Sequence, residues 1–218
     1  MTMYVSEPIE IGPGLVPGAQ RVPNTKPDIV AAIGRKGLLG HRGQSLVAIA
    51  AADLARTNVF GEAAEVASAG VVVVAPRASR EAVHEVDGLA RQGRFRIVSI
   101  LDAPNVSPNV VSSSVSIRLG AKGPAFTIDT RGGGPSAAWR LTTAMLSAGR
   151  CSRVLLVVIL DEPSPAAQQL PVAVAVVVSA ERSPSTPHPV ADLHDVLGDS
   201  VRETAASQPI PAAAGAAS

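Results

Sequence analysis

The sequence predicts an α/β fold in which a buried sheet lies between layers of helices. Two apolar runs, Arg153–Leu160 and Pro171–Ala180, are rich in β-branched residues and too short for buried helices, so both are predicted strands. Helical patterns alternate with strand patterns along the chain, as in layered α/β domains. Hydrophobic residues make up 46% of the sequence but aromatic residues only 2%, so the core must be aliphatic, which suits helices packed closely on a sheet.

The first half of the chain begins with two irregular segments and continues with a helix, a strand and a second helix. Residues 1–27 hold many prolines and glycines without a hydrophobic period, so we expect an extended or poorly ordered segment. Asp28–Gly43 is expected to form a short strand or turn followed by a basic loop. Gln44–Thr57 has apolar residues at helical spacing, Val71–Ala75 is a short strand covered on both faces, and Ser79–Gln92 is a helix that begins at a serine N-cap.

The second half adds a helix and a tail to the two strong strands. Phe95–Leu101 is ambiguous between strand and loop, the prolines at 104 and 108 indicate a turn, and Asn109–Leu119 is predicted to be a helix. From Ser183 onward the sequence is rich in Pro, Ser and Ala, with one weak helical patch at 190–204. The predicted organisation is therefore an N-terminal segment (1–27), one domain (28–182) and a flexible tail (183–218).

Composition excludes several classes of function. A net charge of +1 and few aromatic residues provide neither the basic surface nor the stacking platform that nucleic-acid binding requires. A single cysteine precludes an internal disulfide framework and fits a reducing cytoplasm. We find no pattern of a signal peptide and no apolar run of the roughly 18–20 residues that a membrane span needs. We therefore expect a cytoplasmic protein without nucleic-acid or membrane partners.

The most informative stretch is residues 105–149. A helix ends at Gly120, a Gly-Pro pair turns the chain, and Ala125–Asp129 forms a predicted buried strand. A glycine-rich corner follows, and a helix of small residues, about Pro135–Ala148, leads away. Several enzymes present a nucleophile at such a strand-to-helix corner because the helix N-terminus stabilises negative charge there. This corner holds three glycines, Gly132 to Gly134, and no nucleophile.

The same stretch resembles the ketosynthase family of β-ketoacyl and polyketide synthases. Val115–Thr130 is similar to the run that leads into the family's active-site cysteine, and Ile128–Pro135 matches the pattern VDTACSSS of active members. This match puts Gly132 at the position of the nucleophile. The resemblance extends over about Gly40 to Glu181 and is most specific over 105–149.

The resemblance implies a thiolase-like half, with a mixed five-stranded sheet between helical layers. It also implies that the chain lacks the family's cysteine chemistry and is not itself an enzyme. Such a chain resembles a chain length factor of a type II polyketide synthase, and most of all the short factors of reducing systems that make polyenes. These factors form a heterodimer with an active ketosynthase and limit chain length in a tunnel at the interface. No cofactor is expected, because an acyl carrier protein delivers the phosphopantetheine-linked acyl chain to the partner.

The resemblance also implies an interface and a tunnel. The strand before the nucleophile pairs with its counterpart in the family's dimers, and here that strand is Ala125–Asp129. The helix after the corner would lose its usual cover, leaving Ala137, Ala138, Leu141, Ala144, Met145 and Leu146 partly exposed. The residues expected at the tunnel or interface are Val83, Val86, Asp87, Ala125, Phe126, Thr127, Ile128 and Asp129; the two valines could equally be ordinary core residues.

Other reactive or basic residues are weighed against simpler roles. The four histidines, at positions 41, 84, 188 and 194, lie outside any segment that resembles the family's catalytic motifs, so surface roles are favoured. Cys151 lies between Arg150 and Arg153, which could lower its pKa, but a cysteine at the start of a buried strand is the simpler interpretation. The glycine triplet lacks the spacing of a P-loop or a dinucleotide fold, so a sharp turn explains it best.

Three alternatives remain open at this stage. The chain could be an acyltransferase or thioesterase that uses Cys151 or a serine within Ser112–Ser114. It could instead bind an acyl-carrier or CoA group through Arg35, Lys36 and Arg42 without chemistry. It could also be a decayed ketosynthase, although well-formed strands, caps and turns weigh against that.

Overall fold

The computed structural model describes residues 2–16, 18–38, 40–41, 43–60, 63–76, 80–97, 103–129, 134–160 and 170–197. Within these residues there are eight strands and seven α-helices. The strands are β1 (Met3–Val5), β2 (Ile9–Ile11), β3 (Gln20–Val22), β4 (Gly70–Val74), β5 (Ala125–Ile128), β6 (Arg153–Ile159), β7 (Ala173–Ser179) and β8 (His188–Val190). The helices are α1 (Lys26–Ile33), α2 (Gly43–Val59), α3 (Ala63–Ala67), α4 (Arg80–Arg91), α5 (Val110–Leu119), α6 (Gly134–Ser147) and α7 (His194–Leu197). Two 3-10 turns, Phe95–Ile97 and Ala103–Val106, lie between α4 and α5.

All eight strands belong to one mixed sheet, whose main path runs β3-β2-β7-β6-β4-β5. Strand β4 runs parallel to both β5 and β6, whereas β7 runs antiparallel to β6 and β2. The five strands from β2 to β5 along this path correspond to the mixed five-stranded sheet that the family resemblance implies, although β2 comes from the N-terminal segment, for which no strand was predicted. Beyond it, β3 extends one edge, and β1 pairs with the end of β7 and with β8.

Each face of the sheet is covered by a separate aliphatic core. Alternate residues of β6 point to opposite faces, so Leu155, Val157 and Ile159 join α1, α2 and α5 on one side. On the other side, Leu156 and Val158 pack with α6, β8 and α7. The central strands β6 and β7 are buried along almost their whole length, which agrees with their continuous apolar sequence.

Of the two expectations about the first 43 residues, one needs correction. Residues 1–27 include extended chain, as one of the two expected alternatives has it: they contain β1, β2 and β3, and Ile9 and Ile11 are fully buried in the core. The segment after them begins with a helix, α1, not a strand or turn. The Thr25 hydroxyl accepts from the Asp28 backbone N–H at 3.4 Å, and Pro27 stands in the first turn. This combination of N-cap, early proline and early acid is a start signal for a helix.

The beginning of the expected tail is also structured. Residues 183–197 include an isolated bridge between Ser183 and Thr186, then β8 and α7. Leu193 and Leu197 are buried in an apolar cluster that also contains residues of α6, and the Trp139 indole N–H donates to the Ala191 carbonyl at 3.1 Å. The rest of the expected tail, residues 198–218, lies outside the described residues. The division into segment, domain and tail stays a prediction.

The prediction that six residues of α6 would be partly exposed was wrong for three of them. Ala138, Met145 and Leu146 are buried, whereas Ala137 and Leu141 are half-buried and Ala144 is exposed. The three buried residues belong to an apolar cluster that includes residues of the sheet, β8 and α7. This part of α6 is therefore covered within the chain itself.

Candidate functional site: the open edge at β5

Strand β5 forms one end of the sheet and is bonded to a neighbour only at β4 within the described residues. The chain enters it through a tight connection. Helix α5 ends at Gly120, which adopts a left-handed conformation with φ of 74°. At Gly123 a side-chain Cβ would lie 2.4 Å from the Ala69 carbonyl oxygen, so only glycine lets β5 approach β4 so closely.

The edge of β5 that faces away from β4 is partly occupied by Asn109. The carbonyl oxygen of Pro124 accepts from the Val71 N–H, and that of Ile128 accepts from the Ala75 N–H, so these groups point toward β4. Because backbone groups alternate in direction along a strand, those of Ala125 and Thr127 point away from β4. The Asn109 amide donates to the Ala125 carbonyl at 3.2 Å and accepts from the Thr127 N–H at 2.7 Å. One side chain therefore satisfies two groups of an otherwise open edge.

A small polar network holds Asn109 in this position. The Ser112 hydroxyl donates to the Asn109 side-chain oxygen at 2.8 Å, and the Thr127 hydroxyl donates to the Ser112 hydroxyl at 3.0 Å. The Ser112 backbone N–H, in the first turn of α5, donates to the Thr127 hydroxyl at 3.1 Å. Asn109 makes no side-chain cap to its own helix. Thr127 thus caps α5, and this leaves Asn109 available to the strand edge.

Exposed apolar side chains lie on β5 and on the elements that connect to it. Among the described residues, the exposed large hydrophobic side chains are Val83 (45% exposed), Ile97 (57%), Ile117 (82%) and Phe126 (42%). They lie on α4, the first 3-10 turn, α5 and β5. Contacts connect these elements in series, because α4 contacts both 3-10 turns, the second turn contacts α5, and α5 contacts β5. The four exposed apolar side chains therefore lie on a connected series of elements that includes the β5 edge.

The eight residues expected at the tunnel or interface fall into two groups. Ala125, Thr127, Ile128 and Asp129 are half-buried, and Phe126 is exposed. On α4, Val86 is half-buried, whereas Val83 and Asp87 are exposed and Asp87 pairs with Arg91 at 2.8 Å. Val83 is therefore not an ordinary core residue. Both groups belong to the connected elements at the β5 end of the sheet; their roles stay predictions.

The corner that the sequence singles out lies largely outside the described residues, which omit 130–133 and with them Gly132. On its far side, Gly134 is buried and has a φ of 44°, in the left-handed range that favours glycine. Helix α6 begins at this residue. The expected strand, β5, and the expected helix, α6, therefore lie on either side of residues 130–133, which the structure does not describe.

The alternative nucleophiles are poorly placed for chemistry. Cys151 is buried, and this burial raises the pKa of its thiol, with a smaller opposing effect of a hydrogen bond to the Gly70 backbone. A neutral buried thiol is a weak nucleophile. Ser112 and Ser114 are buried and Ser113 is half-buried, and the Ser112 hydroxyl is engaged with Asn109.

The histidines lie in separate parts of the chain. His41 is half-buried, and burial lowers the pKa of its imidazole despite a backbone hydrogen bond at Gly37. His84 is exposed on α4, and the His188 ring lies 2.7 Å from the Glu7 carboxylate. The side chain of His194 is outside the described residues. No group of three or more potential metal ligands occurs in the described ranges.

The basic loop after α1 is fixed through its backbone. Arg118 donates to the carbonyl oxygens of Ile33 and Lys36 and forms an ion pair with Asp53 at 2.8 Å. The side chains of Arg35 and Lys36 are exposed, and Arg42 is outside the described residues. None of the described helices has the combination of length and apolar character that crossing a bilayer requires.

Comparison with known proteins identifies the fold. No protein-family model matches the sequence, and no curated protein matches it. Solved structures do match: the ishigamide ketosynthase/chain length factor has a TM-score of 0.62 at 17% identity, covering 85% of this chain and 64% of that one. This chain has a thiolase-like ketosynthase fold.

Two further structures support the same fold. A ketosynthase in complex with its chain length factor, from Xenorhabdus doucetiae, has a TM-score of 0.58 at 15% identity and covers 84% of this chain and 81% of that chain. The structure of a type II polyketide synthase acyl-carrier protein in complex with its ketosynthase has a TM-score of 0.57 at 13% identity. The match covers 82% of this chain and 62% of that chain. The chain thus spans less than two thirds of the matched ishigamide chain and about four fifths of the Xenorhabdus one.

Proposed function

We propose that the chain is a non-catalytic, chain-length-factor-like subunit that pairs with an active ketosynthase in the cytoplasm and shapes its acyl tunnel. The observation that carries this proposal is the placement of exposed apolar surface. Within the described residues, every exposed large hydrophobic side chain lies on the connected elements that end at the β5 edge. Phe126 on β5 and the exposed apolar side chains of the connected elements would give a second subunit apolar surface to bury.

The absence of catalysis rests on the sequence. The resemblance puts Gly132 where active members have cysteine, and glycine has no side chain with which to hold an acyl group. The thiol elsewhere in the chain is buried and has a raised pKa. An acyl carrier protein would meet the complex only transiently, because the acyl chain would be attached to the partner's cysteine.

The alternative of a stand-alone acyltransferase or thioesterase has less support. Its candidate nucleophiles, Cys151 and Ser112, are both buried, and Ser112 serves the network at β5. The alternative of a carrier-protein binding module relies on the exposed side chains of Arg35 and Lys36, which a solvated loop explains as well.

Co-expression with the ketosynthase encoded next to this chain tests the proposal. We expect a one-to-one complex by size-exclusion chromatography with light scattering, and acyl-chain elongation only when both chains are present. The chain alone should not turn over acyl thioesters. A chain that stays separate from the ketosynthase, or one that hydrolyses thioesters unaided, would contradict the proposal.

A further inference from the structure

Glu10, on β2, carries a carboxylate with no exposed surface, and such a group is rare in a protein interior unless its charge is compensated. Its Oε1 atom accepts from the Gly14 N–H at 2.6 Å and from the Leu15 N–H at 2.9 Å, and its Oε2 atom accepts from the Val16 N–H at 2.8 Å. Both oxygens act as acceptors, as they do in an ionised carboxylate. No ion pair among the described residues involves Glu10, so three successive backbone N–H groups balance its charge.

The three donors belong to the glycine loop, residues 12–16, which follows β2 directly. A side-chain Cβ at Gly12 would lie 2.8 Å from Oε1 of Glu10, and Gly14 has a φ of 100°, in the range that favours glycine. The two glycines therefore let the backbone curl closely around the carboxylate. Successive N–H groups that converge in this way form a concave site for an anion.

The connection that contains this loop is unusually short. Strands β2 and β3 are parallel, and only residues 12–19 join them. Parallel strands are usually joined by about a dozen or more residues, most often through a helix. The described residues of this connection form no helix, so their N–H groups need other acceptors. Glu10 provides one, and Arg21, its cross-strand partner on β3, donates to the Pro13 carbonyl at 2.8 Å.

We infer that the glycine loop is an anion-binding site that the chain fills with its own Glu10 carboxylate, and that this internal ligand fixes the connection from β2 to β3. Val16 is buried in the core on the α6 side of the sheet, whereas Ile9 and Ile11 of β2 are buried in the core on the opposite side. The bound carboxylate therefore ties the two cores together at this end of the sheet. This role is independent of the proposed function, which concerns the β5 end.

The test removes the internal ligand and offers a free one in its place. Glu10→Ala leaves a space for a small carboxylate beside the glycine loop. The matched control, Glu7→Ala, removes a nearby exposed carboxylate that pairs with His188. Amide hydrogen exchange at residues 14, 15 and 16 is followed by NMR at constant pH, in acetate and in chloride at the same ionic strength.

We expect the three loop amides of Glu10→Ala to exchange at least about tenfold faster than those of the unaltered chain, since each N–H loses its acceptor. Acetate should slow this exchange in a saturable way and raise the thermal midpoint of this variant, because it binds the folded loop. Chloride should do neither, and Glu7→Ala should exchange as the unaltered chain does. Loop amides that stay protected in Glu10→Ala, or that acetate protects no better than chloride, would overturn the inference.

The unaltered chain provides a second test that does not depend on the folding of a variant. Its Gly14 and Leu15 amides should exchange slowly, although Gly14 is exposed and Leu15 only half-buried. Acetate should leave these rates unchanged, because the site is already filled. Free exchange of the two amides, or a marked slowing by acetate, would show that Glu10 does not occupy the loop and would overturn the inference.

Discussion

The two edges of the sheet differ in what they offer to a neighbour. The β3 edge carries Gln20 and Arg21, both exposed, and their side chains bond to Asn58 and to the Pro13 carbonyl. The β5 edge carries Ala, Phe, Thr and Ile, with Phe126 exposed. A charged side chain on an edge strand discourages pairing with other molecules, so β3 is suited to solvent.

At β5, unlike at β3, bonded backbone groups occur beside exposed apolar side chains. Asn109 bonds backbone groups of the strand, whereas the side chains of Phe126 and Ile117 stay 42% and 82% exposed. Exposed apolar side chains do not stabilise an edge that faces only solvent, so these two are better explained by contact with another molecule. The β5 edge therefore combines two backbone groups that are bonded within the chain with an apolar side chain that is exposed.

The largest expected effect is on partner binding when the β5 edge is made charged. Phe126→Asp should weaken the complex with the ketosynthase by about 100-fold or more, because a central aromatic contact is lost and a carboxylate must be desolvated. Arg21→Ala on β3 should leave the affinity unchanged. Binding is measured by isothermal titration calorimetry or biolayer interferometry.

A control variant distinguishes the effect of a carboxylate at the β5 edge from the effect of a carboxylate elsewhere on the surface. Ala144→Asp places the same carboxylate on an exposed position of α6 and should bind normally. If Phe126→Asp binds as tightly as Ala144→Asp, the interface lies elsewhere and the contrast between the two edges has no functional meaning.

A smaller effect is expected on stability, through the link between α5 and β5. Thr127→Val keeps the shape of the side chain but leaves the Ser112 N–H in the first turn of α5 without its acceptor. The free energy of unfolding should fall by about 1–2 kcal/mol, as for loss of a helix cap. Urea denaturation provides the measurement.

Thr143→Val is the matched control for that change. The Thr143 hydroxyl donates to the Arg140 carbonyl within α6, a bond on an exposed helix surface. Its loss should cost no more than a few tenths of a kcal/mol. If both variants lose the same free energy of unfolding, the polar network at β5 contributes no more to stability than an exposed hydrogen bond does.

The central strands could be predicted from the sequence because their environment is uniform. Strands β6 and β7 are buried on both faces, so a continuous β-branched run suffices to recognise them. Helix α1 was missed although Thr25, Pro27 and Asp28 carry an ordinary start signal; the prolines before it suggested an irregular segment instead.

The edge position of β5 and the role of Asn109 could not be predicted in this way. The sequence of β5 is as apolar as that of a central strand, and only the order of strands leaves one side open. Asn109 lies 16 and 18 residues before its two backbone partners, so no local pattern reveals the contact. Residues 188–197 look like a polar tail because His188, Asp192, His194 and Asp195 interrupt the apolar residues, among them the leucines that are buried at 193 and 197.

A change at Ala125 tests the tunnel that the proposed function requires. Ala125 is half-buried and packs at the margin of the core formed with α1, α2 and α5. Ala125→Phe with the cognate ketosynthase should shorten the products by at least one elongation cycle, because a bulky side chain would fill space for the growing chain. Mass spectrometry of the products checks this, with Ala144→Phe as the control. Unchanged product lengths in a complex of unchanged stability would count against a tunnel at this position.

The smallest effect is expected at the buried start of the central strands, where Cys151 lies against Gly70. Because burial raises the pKa of this thiol, the unfolded chain releases the proton at a lower pH than the folded chain does. The free energy of unfolding should therefore decrease slightly as the pH rises above about 8.5, the ordinary thiol pKa. Cys151→Ala should remove this dependence.

Labelling by iodoacetamide gives a direct measure of the same group. In the folded chain the rate at pH 7 should be roughly tenfold or more below that of the unfolded chain, and it should still be rising at pH 9, because the thiolate forms late and is poorly accessible. Rapid labelling that levels off near pH 7 would instead indicate an activated thiol. The acyltransferase alternative would then have its nucleophile, and the β5 edge would no longer be the leading functional site of the chain.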